Sequence, residues 1–154
     1  MVTAKKMLDK LIKAKSLIDS DIEAILKILE QDIININREE NLFKKGIGTD
    51  KNVIGVYSKA TKQITEGRTG TGFPKKAGEP FNFYDTGSMF KSFDLGISRG
   101  SFTIFNTSNS LKEFLERTGL SESQVIGLPK DDQLKVNYKM IAPLLNDFFR
   151  RNIS

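Results

Sequence analysis

The chain of 154 residues contains no cysteine and no histidine. Without cysteine it can form no disulfide and has no thiolate nucleophile. Without histidine it lacks Ser-His-Asp and Cys-His catalysis and the usual zinc ligands, so carboxylates, lysines, hydroxyls and oxygen-ligated metals remain for chemistry. Its motifs predict no metal and no cofactor. No apolar run approaches the ~20 residues that span a bilayer, and the charged N-terminus is unlike a secretory signal, so we expect no membrane partner.

Hydrophobic residues make up 38% of the chain and are spread along it, which suits one domain with a real core. We expect a single domain over 1–154, with a helical N-terminal part (1–43), an extended loop region (44–80), a β-hairpin core (81–106) and a C-terminal helical part (107–154). The predicted fold class is α+β. N-terminal helices and a C-terminal helix would pack on a small antiparallel β-sheet with a long basic, glycine-rich loop.

The net charge of +5 can favour contact with polyanions such as nucleic acid. Ordinary solubility charge is the simpler interpretation. A basic nucleic-acid-binding domain is kept as an alternative, which predicts duplex binding that weakens steeply with salt. Against it, the basic residues are not gathered on a helix with recognisable base-reading side chains.

The N-terminal part predicts two helices. The first, from about Thr3 to Lys15, is basic and amphipathic, and we expect it to pack on its own domain or on a neighbouring subunit. The second begins at Ser20, which forms a capping box with Glu23. Its core-facing residues recur at helical spacing. They are Ile22, Ile25, Leu26, Leu29, Ile33 and Ile36.

The stretch from Gly46 to Pro80 is rich in glycine, threonine and lysine, and only "NVIGVYS" resembles a short extended piece. The spacing of Gly67 and Gly72 is that of a phosphate-binding loop, but the lysine that should follow is absent. The stretch therefore predicts a long mobile loop, and such loops in compact domains are usually functional or disordered.

The segments "SFDLGIS" and "SFTIFN" flank a two-residue Arg-Gly connection at 99–100, which predicts a β-hairpin. That turn places Ile97 opposite Phe102 and Leu95 opposite Ile104 on one apolar face. The other face is mostly polar, as in an antiparallel sheet that is backed by helices.

Two helices are predicted after the hairpin. The first is short, capped by Ser110 with Glu113 completing a capping box, and it ends at Gly119. A connection then leads to a final helix over roughly 132–150. We expect a kink or a restart in that helix just before Pro143, because proline cannot donate a helical hydrogen bond.

The stretch "FYDTGSMF" at 83–90 contains Asp-Thr-Gly, the catalytic turn of aspartic proteases. Such an enzyme needs two of these turns face to face in a nearly all-β fold. Here predicted helices precede the turn and the glycine-rich loop lies on the wrong side of it, so a protease acting through Asp85 is the least favoured alternative. The simpler interpretation is a structural turn in which Asp85 and Thr86 accept backbone hydrogen bonds and Gly87 takes positive φ. Met89 and Phe93 would then anchor the hairpin.

The order of "YSKAT", a basic loop, "DTGSMFKSF", a hairpin, "VIGLPKDD" and a final helix resembles the tail-completion or virion-morphogenesis proteins of tailed bacteriophages and related head–tail joining proteins. The residues that carry the resemblance are Tyr57, Ser58 and Thr61; Asp85, Thr86, Gly87, Met89 and Ser92; and Ile126, Gly127 and Leu128.

The resemblance implies a structural virion protein without catalytic residues, located in the neck or tail and assembled in the cytoplasm of the bacterial host. Its partners would be copies of itself in a ring of six- or twelve-fold symmetry, and neighbours such as the portal, an adaptor or a tail terminator. Genomic DNA would pass through the lumen. Under this resemblance Arg68, Lys75 and Lys76 would contact a neighbouring subunit or face the lumen.

Overall fold

Helices surround one two-stranded antiparallel sheet in the computed structural model, which describes residues 4–67 and 74–153. The helices are α1 (Ala4–Asn35), α2 (Lys59–Thr65), α3 (Ser88–Lys91), α4 (Asn109–Thr118), α5 (Glu122–Val125), α6 (Lys130–Lys135) and α7 (Ala142–Ile153). The strands are β1 (Phe93–Ser98) and β2 (Ser101–Asn106). A π-helical stretch, Ile36–Lys45, continues α1, and a second, Val136–Ile141, joins α6 to α7. With 61% helix and 12% strand, the predicted α+β class is confirmed.

Helix α1 is one continuous helix, so the prediction of two separate N-terminal helices is wrong. Ser20 lies inside it and does not cap a helix start. The carboxylate of Glu23 instead accepts a hydrogen bond from the backbone N–H of Arg99 at the hairpin turn (2.9 Å). Lengthening a helix through lysine, alanine and leucine costs less than nucleating a second one, so the local capping signal is overridden.

The predicted apolar face of α1 is the centre of the core. Its residues from Ile25 to Ile36 at the predicted positions are buried, and Ile22 is partly buried. This face packs on both strands and on α7. The other elements contribute buried apolar residues to the same cluster, namely Met89, Phe93, Leu95, Ile104, Leu111, Val125, Ile126, Leu128 and Val136. Each fully buried leucine or isoleucine contributes about 1.5–3 kcal/mol to folding.

The hairpin has the predicted register, with Ile97 opposite Phe102 and Leu95 opposite Ile104. Arg99 and Gly100 have φ values of +49° and +72°, as a type I′ turn requires. The turn docks against the middle of α1. A Cβ added at Gly100 would meet side-chain atoms of α1 at 3.4 Å and beyond.

Helix α4 is capped by Ser108, so the prediction that Ser110 caps it is wrong. The Ser108 hydroxyl accepts a hydrogen bond from the backbone N–H of Leu111 (3.2 Å). The side-chain oxygen of Asn106, at the end of β2, accepts bonds from both the backbone N–H (2.9 Å) and the hydroxyl of Ser108 (2.6 Å). These hydrogen bonds in the buried turn place Ser108, and not Ser110, at the N-cap of α4. Gly119 ends the helix with φ +71°, as predicted.

The region predicted as an extended loop contains ordered structure. Ser58 caps α2 by accepting a hydrogen bond from the backbone N–H of Thr61 (3.1 Å). Two isolated bridges, Ile47 with Val53 and Val56 with Pro80, tie the flanking segments together. The predicted connection before the last helix likewise contains α5, and sequence reasoning missed both short helices because neither is long enough to show helical periodicity.

The C-terminal helix begins at Lys130, earlier than predicted, and restarts as α7 at Ala142, one residue before Pro143. The wider π-helical turns that precede it accommodate a proline that donates no backbone hydrogen bond. Within 4–67 and 74–153, the helices do not combine the length and apolar character that crossing a bilayer requires.

Candidate functional site

A cleft of about 700 Å³ opens between α2, the segment that leads into α3, and α4. Two of the three segments that carry the family resemblance, 57–61 and 85–89, contribute residues to it. Its aromatic walls are Tyr57, Phe81, Phe83, Tyr84 and Phe114. Its hydroxyl and charged groups include Ser58, Thr61, Asp85, Thr86, Ser88, Ser110, Glu113 and Arg117.

The Asp-Thr-Gly segment forms a tight turn at one side of the cleft. Gly87 has φ +82° and immediately precedes α3, which confirms the predicted positive φ. The Thr86 hydroxyl oxygen accepts a bond from the Ser88 backbone N–H (3.4 Å), and a Cβ added at Gly87 would lie 2.9 Å from the Tyr84 hydroxyl oxygen. The positive φ therefore favours glycine, and an added Cβ would also displace the Tyr84 hydroxyl at the end of its side chain. Asp85 is exposed beside this turn.

The second half of the same signature joins the turn to the hairpin. Met89 is buried, and its carbonyl accepts a hydrogen bond from the side-chain amide of Asn106 (2.7 Å). The Ser92 hydroxyl donates to the carbonyl of Ser88 (2.9 Å), and the Ser92 carbonyl accepts a bond from the Thr107 backbone N–H (3.2 Å). Met89 and Phe93, which were predicted to anchor the hairpin, are both buried in the core. The contacts of these residues therefore stabilise the fold by joining the turn to the hairpin.

Lys75 lies inside the protein, which corrects the prediction that it faces a neighbour or a lumen. Only 5% of the residue is exposed. Its ammonium donates to the side-chain oxygen of Asn82 (2.6 Å) and to the Tyr84 carbonyl, and it lies 5.4 Å from the centroid of the Tyr57 ring. A buried cation needs such partners. Lys76 is exposed and pairs with Glu79 (3.4 Å), whereas Arg68 lies outside the described residues.

Asn82 is the centre of a hydrogen-bond network beneath the cleft. Besides Lys75, its side-chain oxygen accepts bonds from the Tyr57 hydroxyl (2.8 Å) and the Tyr84 backbone N–H (3.2 Å). Burial raises the pKa of Tyr57, and the charge of Asp85 adds to that rise against the lowering effect of backbone hydrogen bonds. Tyr57 is thus a neutral donor around pH 7. This network was not predictable from the sequence, because "FNFYD" has no local pattern that singles out its asparagine.

The third segment of the resemblance, Ile126 to Leu128, does not line the cleft. It packs against the π-helical stretch after α1, and Ile126 and Leu128 are both buried. The side-chain amide of Asn37 donates to the Gly127 carbonyl (2.8 Å). This segment therefore holds the C-terminal half of the chain onto α1.

The cleft offers non-covalent contacts through its aromatic walls and the polar groups among them. Ser88 is hydrogen-bonded to the hydroxyls of Thr86 (3.2 Å) and Ser110 (3.4 Å). A hydroxyl nucleophile requires an adjacent base, and these partners are themselves hydroxyls. The two-stranded, mainly helical architecture also differs from the all-β frame on which an aspartic protease depends. In the part of the chain that the structure describes, no three His, Cys, Asp or Glu side chains form a group that could hold a metal ion.

A second candidate surface is the first half of α1, residues 4–18, which we call the arm. The hairpin turn docks near Asp19 and Ile22, and the arm continues beyond that point for roughly 22 Å at about 1.5 Å per residue. Leu8 and Ile12 on the arm are 57% and 60% exposed. We expected this helix to pack on its own domain or on a neighbour, and these two side chains are not covered by their own chain.

Comparison of the chain with protein families, with curated proteins and with solved structures found no match in any of the three.

Proposed function

We propose that the protein is a structural component of a tailed-bacteriophage virion, acting in a ring at the neck or tail-completion position of the head–tail junction. In this proposal it is a building block and not an enzyme. It binds copies of itself and neighbouring neck or tail proteins such as the portal, an adaptor or a tail terminator.

The observation that carries the proposal is the arm. Leaving large apolar side chains such as Leu8 and Ile12 in water is unfavourable, and covering the exposed part of each gives about 1–2 kcal/mol. A helix that extends its apolar face beyond its own core is suited to packing on a neighbouring molecule. A ring protein needs such contacts on every copy, whereas an isolated enzyme does not.

The cleft also supports the proposal. The "YSKAT" and "DTGSMF" segments are distant in sequence yet contribute residues to one cleft. The two segments that carry the resemblance therefore share one surface. A cleft with aromatic walls and polar groups is suited to receiving a segment of another protein by non-covalent contact.

The test is mass spectrometry of purified virions with counted stoichiometry, together with negative-stain images of particles that lack the protein. We expect a ring-like copy number, and tailless heads or unjoined tails in its absence. If the protein is absent from virions and normal particles form without it, the proposal is overturned.

A second candidate, contact with nucleic acid, is favoured by one observation. Residues 1–18 hold five lysines and one aspartate, so +4 of the net charge of +5 lies on this short stretch. Within a ring, such a charge could face the DNA in the lumen. Duplex binding whose affinity falls steeply with salt, and is lost when these lysines are replaced by glutamine, would favour this candidate.

A further inference from the structure

Helix α1 exposes apolar side chains on two opposite sides. The first side belongs to the arm, with Leu8 and Ile12. The second, which we call the outer strip, carries Ala24 and Ile28 in the second half of the helix, and Ile28 is 74% exposed. Because each residue turns the helix by about 100°, Ile28 stands roughly 160° from both Leu8 and Ile12. The two surfaces therefore cannot be covered by a single contact.

Charge is also divided along this helix. The arm, residues 4–18, has five lysines and one aspartate, a net charge of +4. The rest of α1, residues 19–35, has one basic and five acidic residues, a net charge of −4. Because α1 is one continuous helix, its basic half can contact an acidic half only when that half belongs to another copy.

The two surfaces have matching spacing. The arm face consists of Lys5, Leu8, Ile12 and Lys15, all exposed. The face of the outer strip consists of Asp21, Ala24, Ile28 and Asp32, of which only Asp21 is half-buried. Residues three and four apart share a helix face. The two lysines are about 15 Å apart along the axis and the two aspartates about 16 Å, so each lysine can pair with an aspartate while the apolar residues between them are covered.

We propose that the arm of one copy docks on the outer strip of the next copy. The contact is heterologous, because the two surfaces are different and stand on opposite sides of α1. Heterologous contacts repeat from copy to copy and either close into a ring or continue as a filament. The biological role of the contact rests on the proposed ring, but the contact itself is measurable on the isolated protein.

Self-association of the full chain is the first test, measured by sedimentation velocity over a range of protein concentrations. We expect association that weakens with salt, because exposed ion pairs are screened. Leu8→Ser and Ile28→Ser should each weaken it at least about tenfold through the lost apolar burial. Leu134→Ser is the matched control, since Leu134 is 43% exposed but lies on α6 and outside the cleft. A wild type that stays monomeric, or a control that weakens association equally, overturns the proposal.

Mixing the two deficient chains tests whether the contact is heterologous. The Ile28→Ser chain keeps an intact arm and the Leu8→Ser chain keeps an intact outer strip, so together they should form heterodimers that grow no further. Because the chain has no cysteine, Ile12→Cys and Ile28→Cys in separate copies add a direct test. Disulfides between the two different variants support the contact. Disulfides formed only between identical variants overturn it, because they indicate arm–arm or strip–strip packing.

Vesicles with anionic lipids test the other partner that a basic amphipathic helix can bind. A monomeric protein whose arm binds such vesicles would overturn self-docking and assign the arm to a membrane surface.

The self-association test and the virion measurement can fail independently of each other. If virions contain counted copies but the isolated protein does not self-associate, the proposed function stands and this contact is rejected. If the protein self-associates through these surfaces but is absent from virions, the contact stands and the proposed function is rejected.

Discussion

The side-chain amide of Asn37 donates a hydrogen bond to the carbonyl of Gly127 (2.8 Å) across 90 positions of sequence. The same nitrogen lies 3.4 Å from the carbonyl of Val125. Asn37 is 1% exposed and stands at the start of the π-helical stretch after α1. Asn37 thus connects the π-helical stretch after α1 to the segment that leads into the last helices.

We expect Asn37→Ala to destabilise the protein by about 1–3 kcal/mol, because buried carbonyls lose their donor. Urea unfolding with an unchanged slope would measure the loss. Gln31→Ala is the control: Gln31 is exposed on α1, and a surface change of this kind is expected to stay within about 0.5 kcal/mol. Equal stabilities for the two variants would show that the hydrogen bonds of Asn37 contribute nothing to the stability of the fold.

The parts of this fold that follow periodic patterns were predictable from the sequence. The face from Ile22 to Ile36 and the register that pairs Leu95 with Ile104 both depend on a repeat that local sequence displays. The choice of Ser108 over Ser110 was not predictable, because it depends on a buried turn with Asn106. The interior position of Lys75 was missed for a related reason: its partners come from a separate segment, and composition alone places lysines at the surface.

Gly87→Ala should destabilise the protein by about 1–2 kcal/mol through backbone strain at positive φ, with a further loss from the contact with Tyr84. Gly78→Ala is a matched control, since Gly78 has φ +83° and nothing lies within 4 Å of an added Cβ. The difference between the two variants, measured by chemical denaturation, isolates the contact.

Tyr84→Phe in the Gly87→Ala background removes the hydroxyl oxygen that lies 2.9 Å from the added Cβ. This second change should recover most of the extra stability loss of Gly87→Ala relative to Gly78→Ala. The loss from backbone strain at positive φ should remain. Equal losses at Gly78 and Gly87 would mean that backbone conformation alone requires the glycine in the Asp-Thr-Gly turn.

Ser108→Ala should cost about 1 kcal/mol, because the cap of α4 loses its acceptor. Ser110→Ala should be close to neutral, since Ser110 is exposed and its hydroxyl is 3.4 Å from that of Ser88. Thermal unfolding of the two variants side by side measures the two losses of stability. A larger loss for Ser110→Ala would mean that Ser110 caps the helix, as the sequence predicted.

The stability of the protein should fall as pH rises above about 10, where tyrosines of the unfolded chain lose their protons. The pKa of Tyr57 is raised in the folded state, first by burial and then by the charge of Asp85. The folded form therefore holds its proton where the unfolded form has released it, and stability is lost until the pH passes the folded pKa. Tyr57→Phe should flatten this decline in denaturant-unfolding curves taken across the alkaline range, at the cost of a lower stability near pH 7 because the bonds to Asn82 are lost.

Asp85→Asn should lower the pKa of Tyr57 while leaving it above the ordinary value, because burial is the larger cause of its shift and remains in place. Ultraviolet titration of the phenolate would follow the change, with Tyr57→Phe identifying which transition belongs to this residue.

Asp85→Asn also separates the two interpretations of the Asp-Thr-Gly turn. A structural turn predicts that Asp85→Asn folds and joins virions as the wild type does, because asparagine forms similar turn hydrogen bonds. A catalytic carboxylate predicts normal folding with complete loss of function, and that result would restore the protease hypothesis.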